Sequence, residues 1–111
     1  MTLLEVAYES AKDRTQASYA QFHEVFKDWQ TVPVFVDGEI AGAILIDGPE
    51  IHACILPWAH GKWASRRLRP ILDNVIAQHG YAKTRANTEA GKRFVQRLGF
   101  KLHHDNEYRK I

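Results

Sequence analysis

Apolar residues in the first thirty positions recur with helical spacing. They lie three to four residues apart from Leu4 to Trp29, and neither Pro nor Gly occurs among them. The polar stretch KDRTQ, residues 12–16, interrupts this stripe. The pattern therefore predicts two helices, at about residues 2–12 and 15–29, or one long bent helix in their place.

The pattern then changes to short β-rich runs separated by Asp-Gly pairs. Asp-Gly readily supplies the positive φ angles of tight hairpin turns, so Asp37-Gly38 and Asp47-Gly48 predict an antiparallel meander. Its three strands should lie near residues 32–36, 39–46 and 50–56. The third run, IHACIL, is almost wholly apolar, as expected of a central strand that is covered on both faces.

Helical and strand patterns alternate in the second half. Apolar spacing from Leu68 to Ile76 marks an amphipathic helix that ends at His79-Gly80, with Pro70 in its second turn, where it should bend the helix or remove a hydrogen bond. YAKTRA, residues 81–86, then predicts a short strand.

The last thirty residues predict one more helix and a hairpin. NTEAGKRFVQRL favours a helix with Asn87 or Thr88 as its N-cap and Gly99 as its stop, and FKLHH and EYRKI pair around Asp105-Asn106. The order α-α-β-β-β-α-β-α-β-β indicates an α/β protein of the α+β type. We expect a mixed, mostly antiparallel central sheet flanked by helices.

Composition is that of a folded globular domain. The 111 residues are 45% hydrophobic and 25% charged, which fits a single domain over residues 1–111. No apolar run could span a bilayer and the N-terminus lacks a basic signal-like region, so we expect a cytoplasmic protein without membrane contact. The lone Cys54 excludes an internal disulfide, and the histidines lack metal-ligand spacing, so we predict no metal site.

Charge is distributed unevenly along the chain. Residues 1–57 contain three basic and nine acidic side chains, whereas residues 58–111 contain twelve basic and four acidic ones. The second half could face nucleic acid, a phosphorylated cofactor or an acidic partner, or it could carry a solvated basic helix face. Helix-turn-helix spacing and an RNA-stacking motif are both missing, so we do not expect nucleic acid as the partner.

The order of elements and two stretches of sequence resemble a known enzyme family. HGKWASRRLRPIL, residues 60–72, leaves the central strand, and NTEAGKRFVQRLGF, residues 87–100, contains a Leu-Gly-Phe near the C-terminus. This combination resembles the GCN5-related N-acetyltransferase (GNAT) family over residues 32–111, and the N-terminal helices fit its variable first part. The resemblance implies a GNAT-like acyl-CoA N-acyltransferase fold.

The resemblance also implies a cosubstrate site for acetyl-CoA. The family has a pyrophosphate loop, Gln/Arg-x-x-Gly-x-Gly/Ala, after the central strand, and it binds through backbone N–H groups at a helix N-terminus. On that pattern His60 takes the first position, Trp63 the first Gly and Ser65 the last. CoA would lie between the strands 50–56 and 82–86. The residues implied to bind it are Ile55, Leu56, His60, Gly61, Lys62, Trp63, Ala64, Ser65, Arg66 and Asn87.

Several of these residues have a second interpretation. A backbone N–H near Ile55 or Leu56 would hold the acyl carbonyl. Cationic side chains after the turn could meet phosphates directly, or they could merely solvate the helix start, with Trp58 and Trp63 as hydrophobic plugs. Asn87 could contact the pantetheine arm or serve as a helix N-cap.

The candidate catalytic residues are Glu50 and His52. Residues two apart share a strand face, so a carboxylate would lie beside an imidazole that titrates near neutral pH and could remove the proton of an amine. Alternatively, Glu50 is a turn residue and His52 a core histidine. The tyrosine acid usual in the family is replaced here by Val95, with Tyr81 and Tyr108 as alternatives.

The sequence thus predicts an acetyl-CoA-dependent N-acetyltransferase that acts on an unidentified amine by direct transfer. The alternative is a non-catalytic protein of the same fold with a degenerate CoA site, such as a phage protein, because the EIH and WAS patterns look similar to phage-encoded members. The oligomeric state, including a homodimer, stays open.

Overall fold

The order of elements agrees with the sequence prediction. The computed structural model describes residues 1–63 and 67–111. The helices are α1 (Leu3–Ala11), α2 (Tyr19–Phe26), α3 (Arg69–His79) and α4 (Glu89–Arg97). The strands are β1 (Gln30–Val36), β2 (Glu39–Asp47), β3 (Glu50–Ile55), β4 (Ala82–Arg85), β5 (Lys101–His104) and β6 (Glu107–Lys110). A 3-10 turn, Pro57–Ala59, follows β3.

The six strands form one open sheet of mixed direction. Their hydrogen-bonded order is β1-β2-β3-β4-β6-β5. The β3–β4 pair is parallel, and the pairs β1–β2, β4–β6 and β5–β6 are antiparallel. A parallel pair needs a long crossover connection, and the segment with helix α3 provides it. The fold class is therefore α+β with a mostly antiparallel sheet.

The chain divides into two compact units. The first unit is Met1–Asp47 with Ala53–Ala64, and the second unit is Gly48–His52 with Ser65–Ile111. The first has eight acidic and four basic residues, a net charge of −4, whereas the second has five acidic and eleven basic ones, a net charge of +6. The charge asymmetry of the sequence therefore follows the two units.

The core of the first unit forms where α1 packs on β1 and β2. Small and large apolar side chains fill it, namely Ala7, Phe22, Ala43, Leu45 and Cys54. Helix α2 begins later than predicted. The Ser18 hydroxyl caps the Gln21 N–H while Gln21 accepts from the Ser18 N–H, and this capping box fixes the start at Tyr19 instead of residue 15.

The hairpin turns confirm one Asp-Gly prediction and correct the other. Asp37 and Gly38 both have positive φ, 52° and 81°, as a type I′ turn requires. The second turn is Gly48-Pro49, because Asp47 still belongs to β2 and Gly48 takes the positive φ of 56°. The turn is thus one residue later than predicted.

In the second unit, α3 contacts β4 and buries Leu72 and Val75. Pro70 lies in the first turn of α3, where backbone N–H groups have no helical partner, so the predicted loss of a hydrogen bond does not occur. Gly80 ends the helix with a φ of 84°, as predicted.

A tight contact between strand backbones makes Gly42 sensitive to substitution. A Cβ at this position would lie 2.3 Å from the Cys54 carbonyl oxygen, whereas a Cβ at Gly38 would meet nothing within 4 Å. We expect Gly42→Ala to lower the free energy of unfolding by about 3 kcal/mol or to prevent folding. Gly38→Ala should lower it by roughly 1 kcal/mol through its positive φ. Urea unfolding of both variants checks this, and equal effects would contradict it.

Candidate functional site

The two candidate catalytic side chains meet on one face of β3. Their two-residue spacing gives them the same direction, as predicted, and Glu50 Oε2 lies 2.7 Å from His52 Nε2. Their side chains are 28% and 21% exposed. Glu50 and His52 are therefore a half-buried carboxylate–imidazole pair.

A lysine completes the cluster. β4 pairs with β3 so that Lys83 lies opposite Glu50, and the Lys83 N–H donates to the Pro49 carbonyl over 2.8 Å. The Lys83 ammonium is 4.0 Å from Glu50 Oε1. Lys83 is not among the residues predicted from the sequence, because the neighbour of a strand is set by the topology. The signal in the sequence was the alternation of Lys83 and Arg85 in KTRA.

These contacts keep Glu50 ionised. The hydrogen bond from His52 lowers the pKa of Glu50 below its ordinary value of 4.5, and the charges of His52, Lys83 and Arg85 lower it further against the opposing effect of burial. An ionised carboxylate only accepts hydrogen bonds, so His52 carries a proton on Nε2. In the neutral ring, Nδ1 is then the basic nitrogen.

Two amides at the end of β3, those of Ile55 and Leu56, were predicted to hold an acyl carbonyl, and they point in different directions. The Leu56 N–H donates to the Ala41 carbonyl of β2 over 2.8 Å, so it cannot serve a ligand, and the prediction for Leu56 fails. Successive N–H groups of a strand point to opposite edges, so the Ile55 N–H points to the edge away from β2. His60 Nε2 lies 2.9 Å from the Ile55 carbonyl oxygen, which places the His60 ring beside Ile55.

The turn after β3 closes on itself. The N–H groups of Ala59, His60 and Lys62 donate to the carbonyls of Leu56, Pro57 and Ala59, at distances of 3.0, 3.2 and 2.9 Å. The His60 and Lys62 amides therefore do not form the predicted phosphate cradle.

Other predicted loop residues have varied surroundings. Gly61 has a φ of 80° and bends the turn. Trp63 is half-buried, and Trp58 is 43% exposed, so Trp58 is not the buried plug of the alternative interpretation. The predictions for Ala64, Ser65 and Arg66 fall outside the described residues.

The N-cap alternative for Asn87 is wrong. The cap of α4 is Thr88, whose hydroxyl accepts from the Gly91 N–H over 3.0 Å. Asn87 is the exposed residue just before this cap. Contact of Asn87 with a ligand stays a prediction.

The two candidate tyrosines and the cysteine are poorly placed to react. Tyr108 is only 3% exposed, and the guanidinium of Arg109 lies over the Tyr81 ring, 4.9 Å from its centre. Val95 lies on α4, as its alignment predicts. Burial raises the pKa of Cys54 to about 11, so its thiol stays protonated at neutral pH.

Comparison of the chain with family models, curated proteins and solved structures found no match. Within residues 1–63 and 67–111, His, Cys, Asp and Glu side chains form no group of three that could hold a metal ion. No helix in that part of the chain is long and apolar enough to cross a membrane.

The contact between Glu50 and His52 predicts an acid-shifted titration. The Glu50 carboxyl carbon should titrate below pH 4.5 in a carbon-13 NMR experiment, and His52→Gln should raise its pKa. Because the folded-state pKa is depressed, the pair stabilises the fold above the ordinary pKa and loses this contribution as pH falls through the folded-state value. Acidification should then destabilise the wild type more than His52→Gln. An unshifted Glu50 titration would contradict the geometry.

Proposed function

We propose that the protein is an acetyl-CoA-dependent N-acetyltransferase with a GNAT-like fold. The observation that carries the proposal is the Glu50–His52 pair, with its 2.7 Å contact, on the strand that precedes the α3 crossover. The order of elements and the parallel β3–β4 pair support the fold resemblance. The acceptor is a small amine, or an amine on a larger molecule, that enters as a cation.

The residues of the pair would divide the proton transfer between them. His52 takes a proton from the ammonium of the acceptor, and the Glu50 carboxylate stabilises the imidazolium that results. The His52 hydrogen bond, with a smaller contribution from the charge of Lys83, lowers the pKa of Glu50, so the proton stays on His52. Glu50 acts by positioning and charge, because its lowered pKa makes it a weak base.

Acetyl-CoA would supply the acetyl group. Its acyl end fits the residues present better than its pyrophosphate does. The Ile55 N–H points away from β2 and could donate a hydrogen bond to the acyl oxygen. The amides of His60 and Lys62 are closed within the turn and do not fit a pyrophosphate. Phosphates would have to be met by the exposed side chains of Lys62 and Arg69.

A second candidate is a non-catalytic binding or structural protein of the same fold, such as a phage protein. The closed amides of residues 56, 59, 60 and 62 favour it, and so does Val95 in place of a tyrosine. In that case Glu50, His52 and Lys83 would be a polar surface cluster that only stabilises the sheet. The two candidates differ in acetyl-CoA binding and in turnover.

The proposal predicts separate effects on binding and turnover. Acetyl-CoA at 100 times its Kd should stabilise the chain by about 2.7 kcal/mol, seen as a rise in Tm. His52→Gln should lower kcat/KM for acetyl transfer to a panel of primary amines by about 100-fold or more, and Glu50→Gln should have a smaller effect. Both variants should keep the Tm shift.

Glu39→Gln is the matched control, because it removes an exposed carboxylate at the start of β2. It should leave turnover and binding unchanged. Absence of any Tm shift with acetyl-CoA would reject the enzyme and any retained CoA binder. A Tm shift with turnover that His52→Gln leaves intact would reject the catalytic role of the pair.

A further inference from the structure

One face of the second unit carries a row of like charges across three strands. Lys83 on β4 lies opposite Arg109 on β6, and Arg109 lies opposite Lys101 on β5. Neighbouring strands are only about 4.8 Å apart, and directly opposed like charges destabilise a sheet. Glu50 offsets Lys83 at one end of the row and Glu107 pairs with Arg109 in its middle, whereas Lys101 lies on the edge strand. An anion bound at this end of the row would pair with Lys101.

The edge of this row borders a recess large enough for a small molecule. Lys101 and Arg109 line a cavity of about 560 Å³ together with Tyr81, Leu102 and His103. Small-molecule sites typically measure roughly 300–1,000 Å³. None of the described residues that line it is acidic, so the recess selects against cations.

Arg109 is held in a fixed orientation at this recess. Its Nε donates to Glu107 Oε2 over 2.7 Å, and its guanidinium packs over the Tyr81 ring. The contact with Glu107 engages Nε and leaves the two terminal nitrogens of the guanidinium for other acceptors. A planar guanidinium fixed in this way suits phosphate oxygens better than a mobile cation does.

Two helix C-termini lie at the recess, but they do not make it favour cations. The C-cap of α3 is Gly80 and that of α4 is Leu98, next to Gly99, and helix C-termini carry partial negative charge. The N–H groups of Gly80, Gly99 and Phe100 donate to carbonyls in the last turns of these helices. The Lys110 side chain also lies against Gly99. The full charge of Lys101 therefore outweighs these partial charges.

We propose that this recess binds a small phosphate monoester with an apolar or aromatic body. The phosphate lies between the Lys101 ammonium and the terminal nitrogens of Arg109, whose Nε is already paired with Glu107. The body of the ligand covers the Tyr81 ring and Ile111, which is 93% exposed. The recess shares no residue with the Glu50–His52 pair, so this site is independent of acetyl transfer.

The test is an NMR titration of the nitrogen-15-labelled chain with phenyl phosphate, inorganic phosphate and phenol. Phenyl phosphate should give saturable shifts of the amides of Lys101, Leu102 and Arg109 at low salt, and binding should weaken as salt is added. Inorganic phosphate should bind several-fold more weakly, and phenol should cause no shift at these amides.

Lys101→Gln should weaken phenyl phosphate binding by about tenfold or more, because it removes a charged hydrogen-bond donor. Arg93→Gln on α4 makes the same change in net charge outside the recess and should bind like the wild type. His52→Gln should also bind like the wild type, which separates this site from the proposed acetyl site. Arg109→Gln is a second test, with folding checked by circular dichroism because Arg109 also contacts Glu107.

Three results would overturn the proposal. They are the absence of saturable shifts at the recess, unchanged affinity in Lys101→Gln, and equal affinity for phenyl phosphate and inorganic phosphate. Equal affinity would show that Tyr81 and Ile111 contribute nothing to binding, so the ligand would need no apolar body.

Discussion

The hydrogen bond from the Leu56 N–H to the Ala41 carbonyl, 2.8 Å long, fixes what strand β3 presents. A strand alternates its side chains between faces and its amides between edges, so a single bond to β2 sets the direction of every neighbouring group. The Ile55 N–H therefore points to the other edge. A shift of the strand by one residue would exchange Ile55 with Leu56 and move Glu50 and His52 to the opposite face.

The second constraint is the parallel pairing of Glu50 with Lys83. It brings a cation to the half-buried carboxylate and lowers the pKa of Glu50, after the stronger effect of the His52 hydrogen bond. The same alignment continues to Arg109 and Lys101 and so produces the cationic edge of the second unit. The strand pairing thus places cations both beside Glu50 and at the recess.

Local patterns in the sequence were sufficient for the order of elements and for the shared face of Glu50 and His52. Both depend on periodicities of two or 3.6 residues and on turn residues such as Asp37-Gly38, and they need no distant contact. Element ends were less accurate, since a capping box at Ser18 or the use of Gly48 in place of Asp47 depends on competition between adjacent residues.

The groups that contact the site residues could not be predicted from the sequence alone. The Leu56 N–H donates across the sheet to Ala41, and those of His60 and Lys62 donate within the turn after β3. Hydrogen-bond partners of amides leave no mark in side-chain patterns. Lys83 and the Lys101–Arg109 row required the strand order, in which β6 lies between β4 and β5. Such long-range order is set by packing and not by local propensity.

The measurement that tests the central claim most directly is the response of two adjacent backbone amides to acetyl-CoA, followed by nitrogen-15 NMR. The Ile55 amide should shift and become more protected from hydrogen exchange as an acyl oxygen binds it, whereas the Leu56 amide should already be protected and stay unchanged. A response at Leu56 with none at Ile55, or no response at either amide, would contradict the assignment of this strand edge to the acyl group.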